Sequence, residues 1–159
     1  MHTSKSISEL PNRPAVYALM GGLGKRAYVA YVGIAGKLRR RIAQHLVLRD
    51  SSVTTGTSAA VLNPDYVTEV RWWESSEFED RVRLEAAEVV ALRTLDPVLR
   101  SRGVTSEKAT EISINEAYKK SMVSLFAGES TGQLHVPTLQ SALKRIDVLE
   151  ARLVKLENL

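Results

Sequence analysis

Apolar residues fall in two unbroken runs near the start of the chain, Ala15-Val16-Tyr17-Ala18-Leu19-Met20 and Tyr28-Val29-Ala30-Tyr31-Val32, separated by Gly21-Gly22-Leu23-Gly24-Lys25-Arg26. β-branched and aromatic residues around a Gly-rich break predict an antiparallel hairpin. Beyond Gly36 the pattern changes. Leu38, Ile42 and Leu46 recur at helical spacing. The Ser/Thr-rich, aperiodic stretch from Asp50 to Ala60 reads as a loop, and Val67 to Trp73 as a third strand. Ser76 followed by Glu79 is a capping-box pattern that predicts a helix from there to Leu95, stopped by Asp96-Pro97. Gly103 marks a boundary. Ser113 with Glu116 predicts a second capped helix ending near Gly128, and a last helix runs from about Pro137 to the end. The expected fold is α/β: a small three-stranded, mostly antiparallel sheet flanked by helices over residues 1–103, with a helical C-terminal extension over 104–159.

Composition narrows the class. A chain of 159 residues with 44% hydrophobic residues can bury one ordinary core. It has no cysteine, which excludes disulfides and thiolate metal sites. No apolar run approaches a membrane span, and Met1 to Leu10 lacks the basic-then-apolar pattern of a signal peptide. A soluble cytoplasmic protein with no membrane partner is expected. The net charge of +4 is unevenly spread: residues 1–50 hold nine Lys/Arg against two Asp/Glu, whereas residues 51–103 hold six against nine. A cationic first third suits a polyanion such as DNA, and equally describes a solvated basic helix.

Several residues stand out chemically. Arg41 and His45 are four apart on one helix and share a face beside the Leu38/Ile42 stripe, at the edge where a cleft would form. An Arg there can clamp a phosphate with two hydrogen bonds, or it is an ordinary surface cation of the run Arg39-Arg40-Arg41. On the helix from Ser76, the residues Phe78, Val82, Val89 and Leu92 define an apolar stripe that Leu84 and Leu95 widen. Glu85 falls within it and Glu88 between Leu92 and Leu95. A carboxylate facing a core must be paired, protonated or bound to metal. Periodicity alone makes Glu85 the deeper of the two. Tyr17 and Tyr31 are strand aromatics, ordinarily core residues. A phenol becomes a useful base only where nearby cations or a hydrogen-bonded His draw off its proton. Trp72 and Trp73, adjacent in a strand, point to opposite faces, one to the core and the other to an edge or a stacked base. There is no zinc spacing, Walker loop or Ser-His-Asp order, and Gly21-Gly22-Leu23-Gly24 precedes a strand, so it is a turn.

Taken in order, these residues resemble the GIY-YIG nuclease family. Leu10-Pro11 precedes Pro14-Ala15-Val16-Tyr17; Tyr31-Val32-Gly33 follows, then Leu38, Arg41 and His45, and later Glu88 with Pro97 nine residues beyond. The likeness covers residues 10 to 100. Ala15 replaces the first Gly of the Gly-Ile-Tyr motif, and Arg100 stands where the family often has Asn. The resemblance implies a metal-dependent DNA endonuclease. By it, Tyr17 takes a proton from the attacking water helped by His45 and Tyr31, Arg41 holds the scissile phosphate, and Glu88 is the ligand of one Mg²⁺ or Mn²⁺ ion. An inactive DNA-binding module of the same fold is the alternative that Arg100 motivates.

The C-terminal helix carries a separate signal. Leu139, Ala142, Ile146, Leu149, Leu153 and Leu156 alternate spacings of three and four, a heptad seam. With Leu139 at position a, Arg145 and Arg152 fall at g while Glu150 and Glu157 fall at e, the pairing of a parallel homodimer. The same seam could pack on its own chain. A third function follows from the first of these, an adaptor that oligomerises through this helix.

Overall fold

The computed structural model describes residues 1–23, 27–55, 62–100 and 103–127. The heptad helix therefore lies outside the described residues. The fold is α/β, built on a four-stranded antiparallel sheet rather than the expected three. Its strands are β1 (His2–Ser4), β2 (Ala15–Gly21), β3 (Tyr28–Ala35) and β4 (Val67–Trp73), in the spatial order β1-β4-β2-β3. The extra strand, His2-Thr3-Ser4, pairs with Trp72, Arg71 and Val70 of β4. Three residues are too few to carry an alternation, so the backbone pairing that makes this strand leaves no readable pattern in the sequence.

Central β2 is buried at all seven positions. Its unbroken apolar run follows from helices covering both faces of the sheet. Val16, Ala18 and Met20 face one core with Val29, Val32 and Trp73, while Ala15, Tyr17 and Leu19 face a second core with Tyr31, Val70 and Trp72. Helix α1 (Leu38–Leu46) covers the second core with Leu38 and Ile42. Helices α2 (Arg81–Leu95), α3 (Glu107–Ile114) and α4 (Glu116–Phe126) cover the first. Both tryptophans are thus buried, which corrects the reading of one as an edge residue. Trp73 meets Phe126 of α4 edge-on at 5.3 Å, and Trp72 is stacked on by His2 at 5.3 Å. Tyr118 Oη of α4 donates to Arg83 O at 2.6 Å, so α4 is anchored to α2.

Capping chemistry explains where the helices depart from expectation. Residues Ser76–Glu79 form a 3₁₀ turn, and Asp80 begins α2 by accepting from Val82 N at 2.8 Å. Ser113 does not open a helix; it is buried inside α3, and its hydroxyl donates to Thr110 O at 2.7 Å. Ser106 caps α3 and Asn115 caps α4, accepting from Ala109 N and Tyr118 N. The buried face of α2 is Leu84, Ala86, Ala87, Val90, Ala91 and Leu95. The stripe read from Val82, Val89 and Leu92 is only partly buried. Alanines let the helix approach the sheet closely, and a count of large apolar residues overlooks them. Beyond α2 the chain returns to the sheet: Val98 N and Leu99 N donate to Val29 O and Ala30 O at 3.0 and 2.9 Å, covering part of the β3 edge. No helix among the described residues is long and apolar enough to cross a membrane.

Candidate active site

The α1 and α2 layers lie on opposite faces of the sheet, and they meet where β3 ends. There a cleft of about 430 Å³ opens between them. Lys37, Arg40 and Arg41 line one wall and Arg81, Glu85 and Glu88 the other, with Tyr31 and residues 34–36 between and Gly103–Thr105 along a third side. α1 is aimed at this cleft by its first turn, whose Leu38 N and Arg39 N donate to Arg13 O and Pro11 O at 3.2 and 3.1 Å. Arg39 itself turns away, its Nε donating to Leu10 O at 2.7 Å. Of the three consecutive arginines, only Arg40 and Arg41 reach the cleft.

Behind the Tyr31 and Arg41 lining lie Tyr17 and His45, both fully buried. His45 was expected at the edge of the buried face; it is instead inside the second core. Tyr17 Oη and His45 Nε2 are 2.7 Å apart. The three rings form a triangle, with centroids 6.2 Å apart for Tyr17–Tyr31, 5.8 Å for Tyr17–His45 and 5.6 Å for Tyr31–His45. Gly33 makes room for it. A Cβ there would stand 2.7 Å from Tyr17 Oη and 3.0 Å from Tyr31 Cε1, closer than carbon and oxygen tolerate. The strand register contributes as well: β3 bulges at Ala30, so Leu19 opposes Tyr31 while Met20 opposes Val29. Ala30 and Tyr31 consequently share the α1 face.

Burial governs the titration of these groups. It pushes the Tyr17 phenol well above its ordinary value, as does the neighbouring Tyr31, while the Arg41 guanidinium opposes the shift through charge and a hydrogen bond. Burial, then the charge of Arg41, lowers His45 to about 4. The folded chain therefore keeps His45 neutral where the unfolded chain protonates it, and stability is lost as pH falls from about 6.5 through about 4. His45→Gln should remove roughly 2 kcal/mol of that acid loss. Urea unfolding at several pH values checks it; equal slopes for both proteins would show that His45 does not carry the effect.

On the opposite wall the two carboxylates divide. Glu85 accepts from Arg81 Nε at 2.9 Å and from Ser106 Oγ at 3.0 Å, and the Arg81 bond leads the effects that hold it below the usual carboxylate range. Glu88, half-buried, has no hydrogen-bond donor among the described residues. Burial raises it to about 7, against the pull of Arg81 and Arg41. Among the described residues no three His, Asp or Glu side chains come together as a metal cage. A carboxylate that no described residue hydrogen-bonds, in a polar cleft, nonetheless suits Mg²⁺ or Mn²⁺, which keep water or substrate oxygens in most of their positions. The donor set fits such an ion through Glu88.

Comparison with family models, with curated proteins and with solved structures finds no match to this chain. Tyr31, Arg41 and Glu88 share the cleft, and Tyr17 with His45 forms the buried pair behind it. Arg100 lies apart, paired with Asp96 at 2.5 Å where Asp96 turns the chain at φ 43°. Two residues of the buried network were not found from sequence. Ser51 Oγ stands 2.7 Å from His45 Nδ1, and Thr54 Oγ1 stands 2.9 Å from Ser51 Oγ. They sit in the Ser/Thr-rich stretch, where nothing in the residue pattern separates a buried hydroxyl from a solvated one.

Proposed function

We propose that this chain is a metal-dependent DNA endonuclease of the GIY-YIG type, hydrolysing phosphodiesters in the cleft between α1 and α2. The observation that carries this reading is the Glu88 carboxylate, without a hydrogen-bond donor among the described residues, facing Arg41 in a cleft rimmed by Lys37, Arg40 and Arg81. Three of the four cations, Lys37 just before α1 and Arg40 and Arg41 on it, belong to the basic first third of the chain, where a polyanion would be drawn. Arg41 is lightly tethered, its longest-reaching nitrogen donating to Gln44 Oε1 at 3.4 Å, so it can turn to a phosphate. An ion held by Glu88 would supply Lewis-acid stabilisation of charge on the phosphate oxygens. Tyr17 and His45 offer a paired acid and base for the proton of the attacking water, and Tyr31 screens that pair from bulk solvent. A cytoplasmic setting goes with this reading.

A binding-only module is the second reading, favoured by the complete burial of Tyr17 and by a phenol held protonated. One assay separates the two. Supercoiled plasmid should be nicked with Mg²⁺ or Mn²⁺ and left intact with chelator, and Arg41→Ala should abolish the activity. Affinity for DNA should fall steeply with salt, and charge reversal of Lys37 and Arg40 should weaken it for all sequences alike. Salt-sensitive binding with no cleavage under any metal would leave the binding-only module. An affinity indifferent to salt would dismiss both.

A further inference from the structure

The network behind the cleft has a direction. Thr54 Oγ1 donates to Ser51 O at 3.0 Å, and a carbonyl can only accept. A hydroxyl has one proton, so Thr54 has none left for Ser51 Oγ, 2.9 Å away, and must accept there. Ser51 Oγ then gives its proton to Thr54 and is left as an acceptor toward His45 Nδ1 at 2.7 Å. The imidazole proton therefore belongs on Nδ1. Nε2 is bare, and across 2.7 Å it accepts from the Tyr17 hydroxyl. Ser51 and His45 are both buried, which keeps water from supplying a competing donor.

We propose that Ser51 and Thr54 are positioning residues that hold His45 as its Nδ1–H tautomer, so that Nε2 can take the proton of Tyr17. The tautomer follows from the hydrogen bonds alone; its use in catalysis rests on the nuclease reading above. In that use, the attacking water gives a proton to Tyr17 Oη as Tyr17 passes its own to His45 Nε2. The water oxygen bonds to phosphorus, and the bond from phosphorus to the leaving oxygen breaks. The leaving oxygen takes a proton from solvent water, and the imidazolium later returns its extra proton to solvent. Throughout, Nδ1–H stays on Ser51 Oγ, which orients the ring and favours the imidazolium as it forms. The burial that holds His45 neutral at pH 7 keeps Nε2 ready to accept between turnovers.

The test is ¹⁵N NMR of the imidazole rings in the full chain at neutral pH, where protonated and bare ring nitrogens resonate far apart. The chain has three histidines, and the spectrum of His45→Gln assigns the signals of His45 by their loss. The expected result is a His45 ring protonated at Nδ1 and bare at Nε2. Ser51→Ala should move the ring toward the Nε2–H form, Thr54→Val should do so partly, and Ser51→Thr should restore the wild-type pattern. In cleavage assays, Ser51→Ala should lower kcat about tenfold or more with KM little changed, and Ser51→Thr should recover it. A wild-type His45 protonated at Nε2 overturns the proposal, and this measurement needs no variant to fold. An Nδ1–H ring in a protein that cleaves no DNA upholds the positioning role and rejects only the nuclease reading.

Discussion

Glu88→Gln should abolish cleavage and at the same time make the fold more stable at neutral pH, by about 2 to 3 kcal/mol. The sign follows from the titration. Burial raises the carboxyl from 4.5 to about 7, so between those values the folded chain keeps a proton that the unfolded chain has released. Stability contributed by the neutral acid is complete below about 4.5 and is lost as pH rises through about 7. Gln does not titrate, has nearly the same shape, and relieves the cost of a half-buried charge that has no hydrogen-bond donor among the described residues. The gain should vanish near pH 4.5, where both side chains are neutral. Urea unfolding at acid and neutral pH measures it, alongside plasmid cleavage. Added Mg²⁺ should stabilise the wild type and leave the variant unmoved, because a cation favours the ionised carboxylate. Glu85→Gln is the control: its carboxylate already has Arg81 and Ser106, is largely solvent-screened, and should shift stability by less than about 1 kcal/mol. Parallel pH profiles for wild type and Glu88→Gln would show that the carboxylate is not desolvated. Retained cleavage would remove it from the site.

Gly33→Ala should destabilise the protein by about 1 to 3 kcal/mol, the usual range for overpacking a tight interior, and eliminate whatever activity the chain has. A Cβ at this position would come within 2.7 Å of Tyr17 Oη and 2.9 Å of Tyr17 Cζ. Neither atom can step aside cheaply. The Tyr17 ring is fully buried on central β2, and its oxygen is held 2.7 Å from His45 Nε2. Relief requires the phenol to tilt off the imidazole, which breaks the hydrogen bond that orders the network. The His45 ring signals should therefore change together with stability. Adding Tyr17→Phe should recover only part of the loss, since removing the oxygen leaves the 2.9 Å contact to the ring carbon. An unaltered unfolding midpoint with an unaltered His45 spectrum would mean that β3 can shift away, and that Gly33 is not what admits the ring.

The hairpin of β2 and β3, strand β4 and helices α1 and α2 were legible because each is long enough for its residue period to repeat. The shorter or smaller-sided pieces were not. β1 is held by backbone pairing, and α3 is announced by Ser106 in a stretch that also offers Ser113 as a cap. Either serine can serve as an N-cap, and of the two only Ser113 completes the capping box, with Glu116. Ser113 loses because its hydroxyl is turned back to Thr110 O inside a helix already begun. The face of α2 was misjudged for a related reason, since Ala86, Ala87 and Ala91 pack against the sheet while Val82 and Leu92 stand at the margin.

At the site, it was the resemblance of the residue order to the GIY-YIG pattern that singled out Tyr17, Tyr31, Arg41, His45 and Glu88 as candidates. Residue spacing along one element could also place Arg41 and His45 on a common helix face, because the helical period is a local property of the backbone. What it could not assign was depth, since that depends on what packs from elsewhere in the chain. Only the tertiary structure puts His45 inside the core, separates Glu88 from the paired Glu85, and joins two opposite faces of the sheet at the end of β3. Only the tertiary structure, too, brings Ser51 and Thr54 beneath the imidazole. The direction of a proton in that network is set by which partner can only accept, and that is decided by the neighbours that folding supplies.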